Sequence, residues 1–201
     1  MNTNSRLSFA ALMALSWAVS ATVVLSGCYT QSVHPIYDAM TLVFEDRLVG
    51  TWQSEGDGSW ILGRGGPRSY ELVWETDDEA DLHMEARLVQ LGERQFLDIY
   101  FDDPPEGVSD LVSVFMMPLH TILRVDKIDD EFRLSAPKSS WIEDHLKENP
   151  AAIGHTFADG RAVLTGDTAA LQRFYSELPN DADVWEEVID MRRVIAAPSD
   201  R

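Results

Sequence analysis

The chain is expected to be mainly β, an antiparallel barrel that is closed or nearly closed, with two short helices late in the sequence. Three observations lead there. Eight to ten short apolar segments follow one another from about residue 42 onward, separated by clusters of turn-forming residues. Two of them alternate with period two: Tyr70, Leu72 and Trp74 against Glu71, Val73 and Glu75, then Leu82, Met84, Ala86 and Leu88 against His83, Glu85 and Arg87. Helical spacing is found only after residue 138. A meander of this kind is best accommodated by closing the sheet on itself, which removes exposed strand edges, rather than by a doubly wound α/β plan.

The first element lies outside the barrel. Met1 to Arg6 carries one positive side chain, Leu7 to Leu25 carries no charge, and the run ends in Leu25-Ser26-Gly27-Cys28, which contains the only cysteine. This layout is that of a cleavable secretory signal, and its last four residues resemble the lipobox of bacterial lipoprotein precursors. The resemblance implies diacylglyceryl transfer to the Cys28 thiol, cleavage between Gly27 and Cys28, and acylation of the new amino terminus. A spanning anchor is the competing account of so long an apolar run. It has no need of a small pair before a cysteine, and no polybasic flank follows Cys28. Tyr29 rather than Asp after the cysteine is, by the same resemblance, the pattern of an outer-membrane destination facing the periplasm. Two or more acyl chains hold a protein to a bilayer stably where one does not.

Residues 28–41 read as an acylated tether, reaching at most ~40 Å at about 3.3 Å per residue, and residues 42–201 as one β-rich domain. Leu42-Val43-Phe44 and Leu48 to Trp52 bracket the charged Glu45-Asp46-Arg47, a short turn or helical pass into the first strand. The next strand, around Trp60, Ile61 and Leu62, stops at Gly63-Arg64-Gly65-Gly66-Pro67. The two alternating strands and a segment from Gln95 to Phe101 follow. Asp102 to Gly107, with Pro104 and Pro105, is the clearest loop; Leu111 to Met117 and Leu119 to Val125 supply one or two further strands, and Phe132 to Leu134 another. Ser140-Trp141-Ile142-Glu143 has capping-box spacing for a helix ending at Asn149, before Pro150. A second helix starts at Asp167 or Thr168 and ends at Pro179, with Leu171, Phe174, Tyr175 and Leu178 on one face. A strand over 161–165 lies between the helices, and Val188 to Ile195 forms the last.

Charge narrows the function. Lys and Arg number 16 against 34 Asp and Glu, and removing residues 1–27 takes away Arg6 but no acidic residue. Such a surface opposes nucleic acid and anionic lipid, which require clustered bases. The acyl chains must therefore supply the membrane attachment. With Cys28 consumed by lipidation, no disulfide is available, and the domain must be held by packing.

Leu48-Val49-Gly50-Thr51-Trp52 resembles the Gly-x-Trp signature of lipocalins and the wider calycin group. The resemblance implies a barrel whose Trp packs across the closed end, often against an Arg from the end of the barrel; Arg192 and Arg193 are the two candidates. The second and third lipocalin signatures are not present.

No catalytic constellation emerges. Gly107-Val108-Ser109-Asp110-Leu111 lacks the second glycine of a nucleophile elbow. Asp144, His145, Ser139 and Ser140 are neighbours that point to different faces of a short helix. The five histidines are scattered without zinc spacing, and Asp126, Asp129, Asp130 and Glu131 lack the calcium-loop pattern. Gly63-Arg64-Gly65-Gly66 has no Lys to serve a phosphate. No cofactor is expected, and the protein is read as non-enzymatic. The aromatics carry more: Trp60, Tyr70 and Trp74, with Met84 beside them and Phe96 or Tyr100 and Phe115 on later strands, would line an inward face. That face could bind a small apolar ligand, or it could simply fill the barrel. The alternative to a carrier is a module that binds a partner protein in the periplasm.

Overall fold

The computed structural model describes residues 29–54, 58–75, 81–101 and 118–194. Eight antiparallel strands close into a barrel: β3 (Gly50–Gln53), β4 (Ser59–Arg64), β5 (Tyr70–Glu75), β6 (Leu82–Leu91), β7 (Arg94–Tyr100), β8 (His120–Ile128), β9 (Glu131–Pro137) and β12 (Trp185–Arg193). The first seven pair in chain order, and β12 joins β9 to β3, so no edge remains in the circuit. This architecture is compatible with a lipocalin-like fold.

The alternation read from the sequence sets the two faces. Tyr70 and Leu72 point inward and are fully buried, whereas Glu71 and Glu75 are exposed. Tyr70 pairs with Ala86 and Leu72 with Met84, which fixes the register of β5 on β6. The turn after β4 is a tight hairpin in which the Gly65 and Ser69 N–H groups bond to the Ser69 and Gly66 carbonyls.

Between β9 and β12 the chain inserts α1 (Ser139–Glu148), the hairpin β10 (His155–Ala158) and β11 (Arg161–Leu164), and α2 (Thr168–Glu177). The helices cover the outer face of β6, β7 and β8. Their Ile142, Leu146, Leu171 and Tyr175 form a second core with Val89, Phe96 and Ile122, separate from the core inside the barrel. Asp167 caps α2 by accepting the Ala170 N–H at 2.8 Å. The capping-box spacing at Ser140 is not used: the N-cap lies two residues earlier, at Lys138, and makes no side-chain cap. The expected strand over residues 111–117 lies outside the described residues.

The amino-terminal segment differs most from expectation. Instead of a free tether, residues 29–41 are built into the fold. β1 (Gln31–Ser32) is wedged between β8 and β11, antiparallel to the first and parallel to the second. Ile36 is fully buried, and β2 (Leu42–Val43) pairs with β6. β8 is therefore shared along one edge, with β9 on residues 124–128 and β1 on 120 and 121. A two-residue strand has no periodicity to read, so its pairing was invisible before the partners were in place.

Candidate functional site

The first candidate is the barrel interior. Trp60 is 4 % and Tyr70 0 % exposed, while Trp74 and Met84 are half-buried and pack against the same core. All four expected ligand-contacting residues thus belong to one inward cluster. Across it Trp52 and Phe132 lie with ring centres 5.3 Å apart, Trp60 and Phe132 6.3 Å, and Trp60 and Trp74 6.4 Å. Leu62, Leu72, Ala86, Leu88, Leu97 and Leu134 fill the remaining cross-section, none exposed by more than 1 %. Trp74 and Met84 sit toward the end where β5 leads into β6, a connection that runs through residues outside those described. Phe96 and Tyr100 point to the outer face, and Phe115 lies outside the described residues.

One end of the barrel is closed by the Gly-x-Trp segment. A short 3-10 turn (Asp46–Leu48) crosses it, and the Trp52 indole donates to the Leu48 carbonyl at 2.9 Å. The Arg193 guanidinium stands 4.2 Å from the centre of the Trp52 ring and donates to the carbonyls of Val49 and Arg47. Such a cation over an indole contributes about 0.5 to 2 kcal/mol. Gly50 is required there, since its φ is +144° and a Cβ would meet Arg193 Nη1 at 2.6 Å.

Tyr70 ties this closure to the wall: its hydroxyl accepts the Glu45 N–H at 2.7 Å and stacks its ring on Phe44 at 4.6 Å. Burial pushes the Tyr70 hydroxyl up to about 12 from 10.0. A raised value means that the folded state favours the protonated phenol. Stability supplied by this group is therefore intact below pH 10 and declines as pH rises toward about 12. An alkaline absorbance titration run beside circular dichroism should show loss of fold accompanying Tyr70 ionisation, and the Tyr70→Phe variant should lose less stability than the parent over that interval.

The second candidate is a polar cluster on the outer face of β6, β7 and β8. Asp98 is fully buried; one carboxylate oxygen lies 2.6 Å from His120 Nδ1 and the other accepts the Ile36 N–H at 2.9 Å. The His120 ring lies 4.9 Å from Tyr100 and 6.2 Å from Tyr37, and Arg87 sits 4.8 Å over the Tyr37 ring while pairing with Glu85. Burial raises the hydroxyls of Tyr37 and Tyr100. Tyr175 Oη, nearby in the second core, is buried with no hydrogen-bond partner, and burial together with the Asp98 charge holds it protonated.

Chemically, Asp98 orients an imidazole, but among the described residues no serine or cysteine is poised beside it. Ser32, paired with His120 across β1 and β8, gives its hydroxyl to the His34 carbonyl at 2.8 Å. What the arrangement does is fasten the amino-terminal segment, helped by Thr168, which donates to the Pro35 carbonyl, and Gln172, which donates to that of Ile36. Sequence reading missed Asp98 and His120. The available signal was a lone acid between Phe96 and Tyr100 on one face of β7.

Several of the other polar groups noted in the sequence have partners, and Ser109 and Asp110 lie outside the described residues. His145 stacks on Trp141 at 4.7 Å and Asp144 pairs with Lys147. Asp126 pairs with Arg124 and accepts from Ser135, and Asp129 and Glu131 share Lys127. Among the described residues no three His, Cys, Asp or Glu side chains come together as a metal site, and no helix is long and apolar enough to cross a membrane. Gly27 and Cys28 lie outside the described residues. No family model, curated protein or solved structure matches the chain.

Proposed function

We propose that the protein is an outer-membrane lipoprotein of the bacterial envelope, held by acyl chains on Cys28 and facing the periplasm. Its barrel is a packed, non-enzymatic scaffold, and its work is to engage a partner protein with its outer surface. The observation carrying the scaffold reading is the continuous core from Trp52 through Phe132, Trp60, Leu72 and Ala86 to Leu88 and Leu97. Support for the anchor is Leu25-Ser26-Gly27-Cys28 at the end of an uncharged run. The carrier reading keeps one observation in its favour, the half-buried pair Trp74 and Met84 toward the end of the barrel where β5 leads into β6.

Ala86→Phe tests the scaffold. Ala86 is fully buried between Tyr70 on β5 and Ile99 on β7. In a filled barrel the added ring has nowhere to go, and overpacking should cost about 1 to 3 kcal/mol in denaturant unfolding. An unchanged midpoint would mean that the barrel holds space for a ligand. For the anchor, Cys28→Ser should release the protein from the membrane fraction and abolish acyl labelling without lowering the unfolding midpoint. Undiminished labelling would contradict it.

A further inference from the structure

We propose that the tip of the β10–β11 hairpin rests on the bilayer beside the lipid anchor, with Phe157 inserted at the interface. The inference rests on the lipoprotein reading above and adds a fixed orientation of the domain on the membrane. It begins from the missing tether. Cys28 stands three residues before Gln31, which is already locked between β8 and β11, so covalent geometry keeps the acylated residue within ~11 Å of it. A domain anchored so closely cannot tumble freely above the surface. Some part of it must face the lipid.

The strand directions say which part. β1 and β11 run parallel, with Gln31 opposite Val163 and Ser32 opposite Leu164. The start of β11 therefore lies at the same end as the start of β1, and the hairpin turn comes immediately before it. Cross-strand pairs continue to Ala158 and Arg161, leaving Asp159 and Gly160 as a two-residue turn with φ of +50° and +82°. Chain start and hairpin tip consequently emerge side by side.

The composition of the tip suits an interface. Phe157 is 40 % exposed, one of three large hydrophobics exposed among the described residues, and Ala158 beside it is also exposed. In a chain with 34 acidic residues, His155 to Arg161 contains one acid, Asp159, against Arg161 and His155. A short, nearly neutral hairpin whose edge strand carries a partly exposed aromatic, packed edge-on against His155, can approach lipid headgroups, where the bulk of this acidic surface would be repelled.

The test uses the full chain, acylated on Cys28 and reconstituted in vesicles of phosphatidylethanolamine and phosphatidylglycerol. Acylation occupies the only native thiol, so Phe157→Cys can be labelled singly with an environment-sensitive fluorophore, and Ala151→Cys, exposed in the turn between α1 and β10, gives the reference. Ala158→Cys serves if the Phe157 variant does not fold. The expected result is a blue shift and quenching by spin-labelled lipid at 157 or 158, with neither at 151. Acylated, vesicle-bound protein whose label at 157 or 158 behaves like that at 151, whether both are quenched or neither, overturns the orientation while leaving the anchor standing. The absence of acyl mass on Cys28 overturns the anchor, and this placement with it.

Discussion

Replacing Trp52 by Ala should lower folding stability by about 3 to 5 kcal/mol, the range for removing a large buried aromatic and leaving a void. Trp52 has no exposed surface, contacts Phe132, donates to the Leu48 carbonyl and lies under Arg193. Its removal therefore takes away core volume, the hydrogen bond that holds the 3-10 turn across the barrel end, and the platform for the guanidinium. Neighbours cannot easily collapse into the gap, because Leu48 and Phe132 are fixed by their own strands and turn. Against a typical total of 5 to 15 kcal/mol, the loss leaves a marginal domain. Urea unfolding with an unchanged slope and a much lower midpoint is the expected result. A loss below ~1 kcal/mol would mean that the Gly-x-Trp segment does not close the barrel.

Asp98→Ala should cost a similar amount, about 3 to 5 kcal/mol, by a different route. The substitution strips His120 Nδ1 of its partner and leaves the buried Ile36 N–H without an acceptor. The consequence is local before it is global: Ile36 sits in the second core, and the segment from Pro35 to Asp38 is held otherwise by Thr168 and Gln172. Amide exchange in residues 31–38 should therefore accelerate more than in β4 and β5. Asp98→Asn, which keeps an acceptor for Ile36, should recover part of the loss. Equal exchange in both regions, or a cost below ~1 kcal/mol, would show that Asp98 does not fasten this segment.

The two variants also mark what could and could not be read from sequence. Trp52 announced itself through Gly50 and the strand that follows, and the close approach of Arg193 to Gly50 gives the physical reason for a glycine there. The inward face of β5 and β6 was legible because period two is a local property, visible in Tyr70, Leu72 and Trp74 without knowledge of any partner. Asp98 and His120 were not legible. They meet only when β7 pairs with β8, 22 residues apart in the chain. The burial of Ile36 likewise depends on α2, more than 130 residues downstream, and β10 has exposed side chains at three of its four positions, so no apolar pattern betrayed it. Trp60, Tyr70, Trp74 and Met84 share the inward face, whereas Phe96 and Tyr100, expected beside them, lie on the outer one; alternation alone carries no information on whether the inward face is filled, which follows from residue volumes once Phe132 and Trp60 meet across the barrel.

The most direct measurement of the packed-scaffold claim is a titration of residues 28–201, carrying Cys28→Ser, with a fluorescent fatty acid, followed through both probe emission and tryptophan quenching. A filled barrel predicts no saturable binding and no ligand-dependent rise in unfolding temperature at probe concentrations well below micelle formation. Stoichiometric, saturable binding that quenches tryptophan and is lost in Ala86→Phe would contradict the scaffold and establish the interior as a ligand cavity.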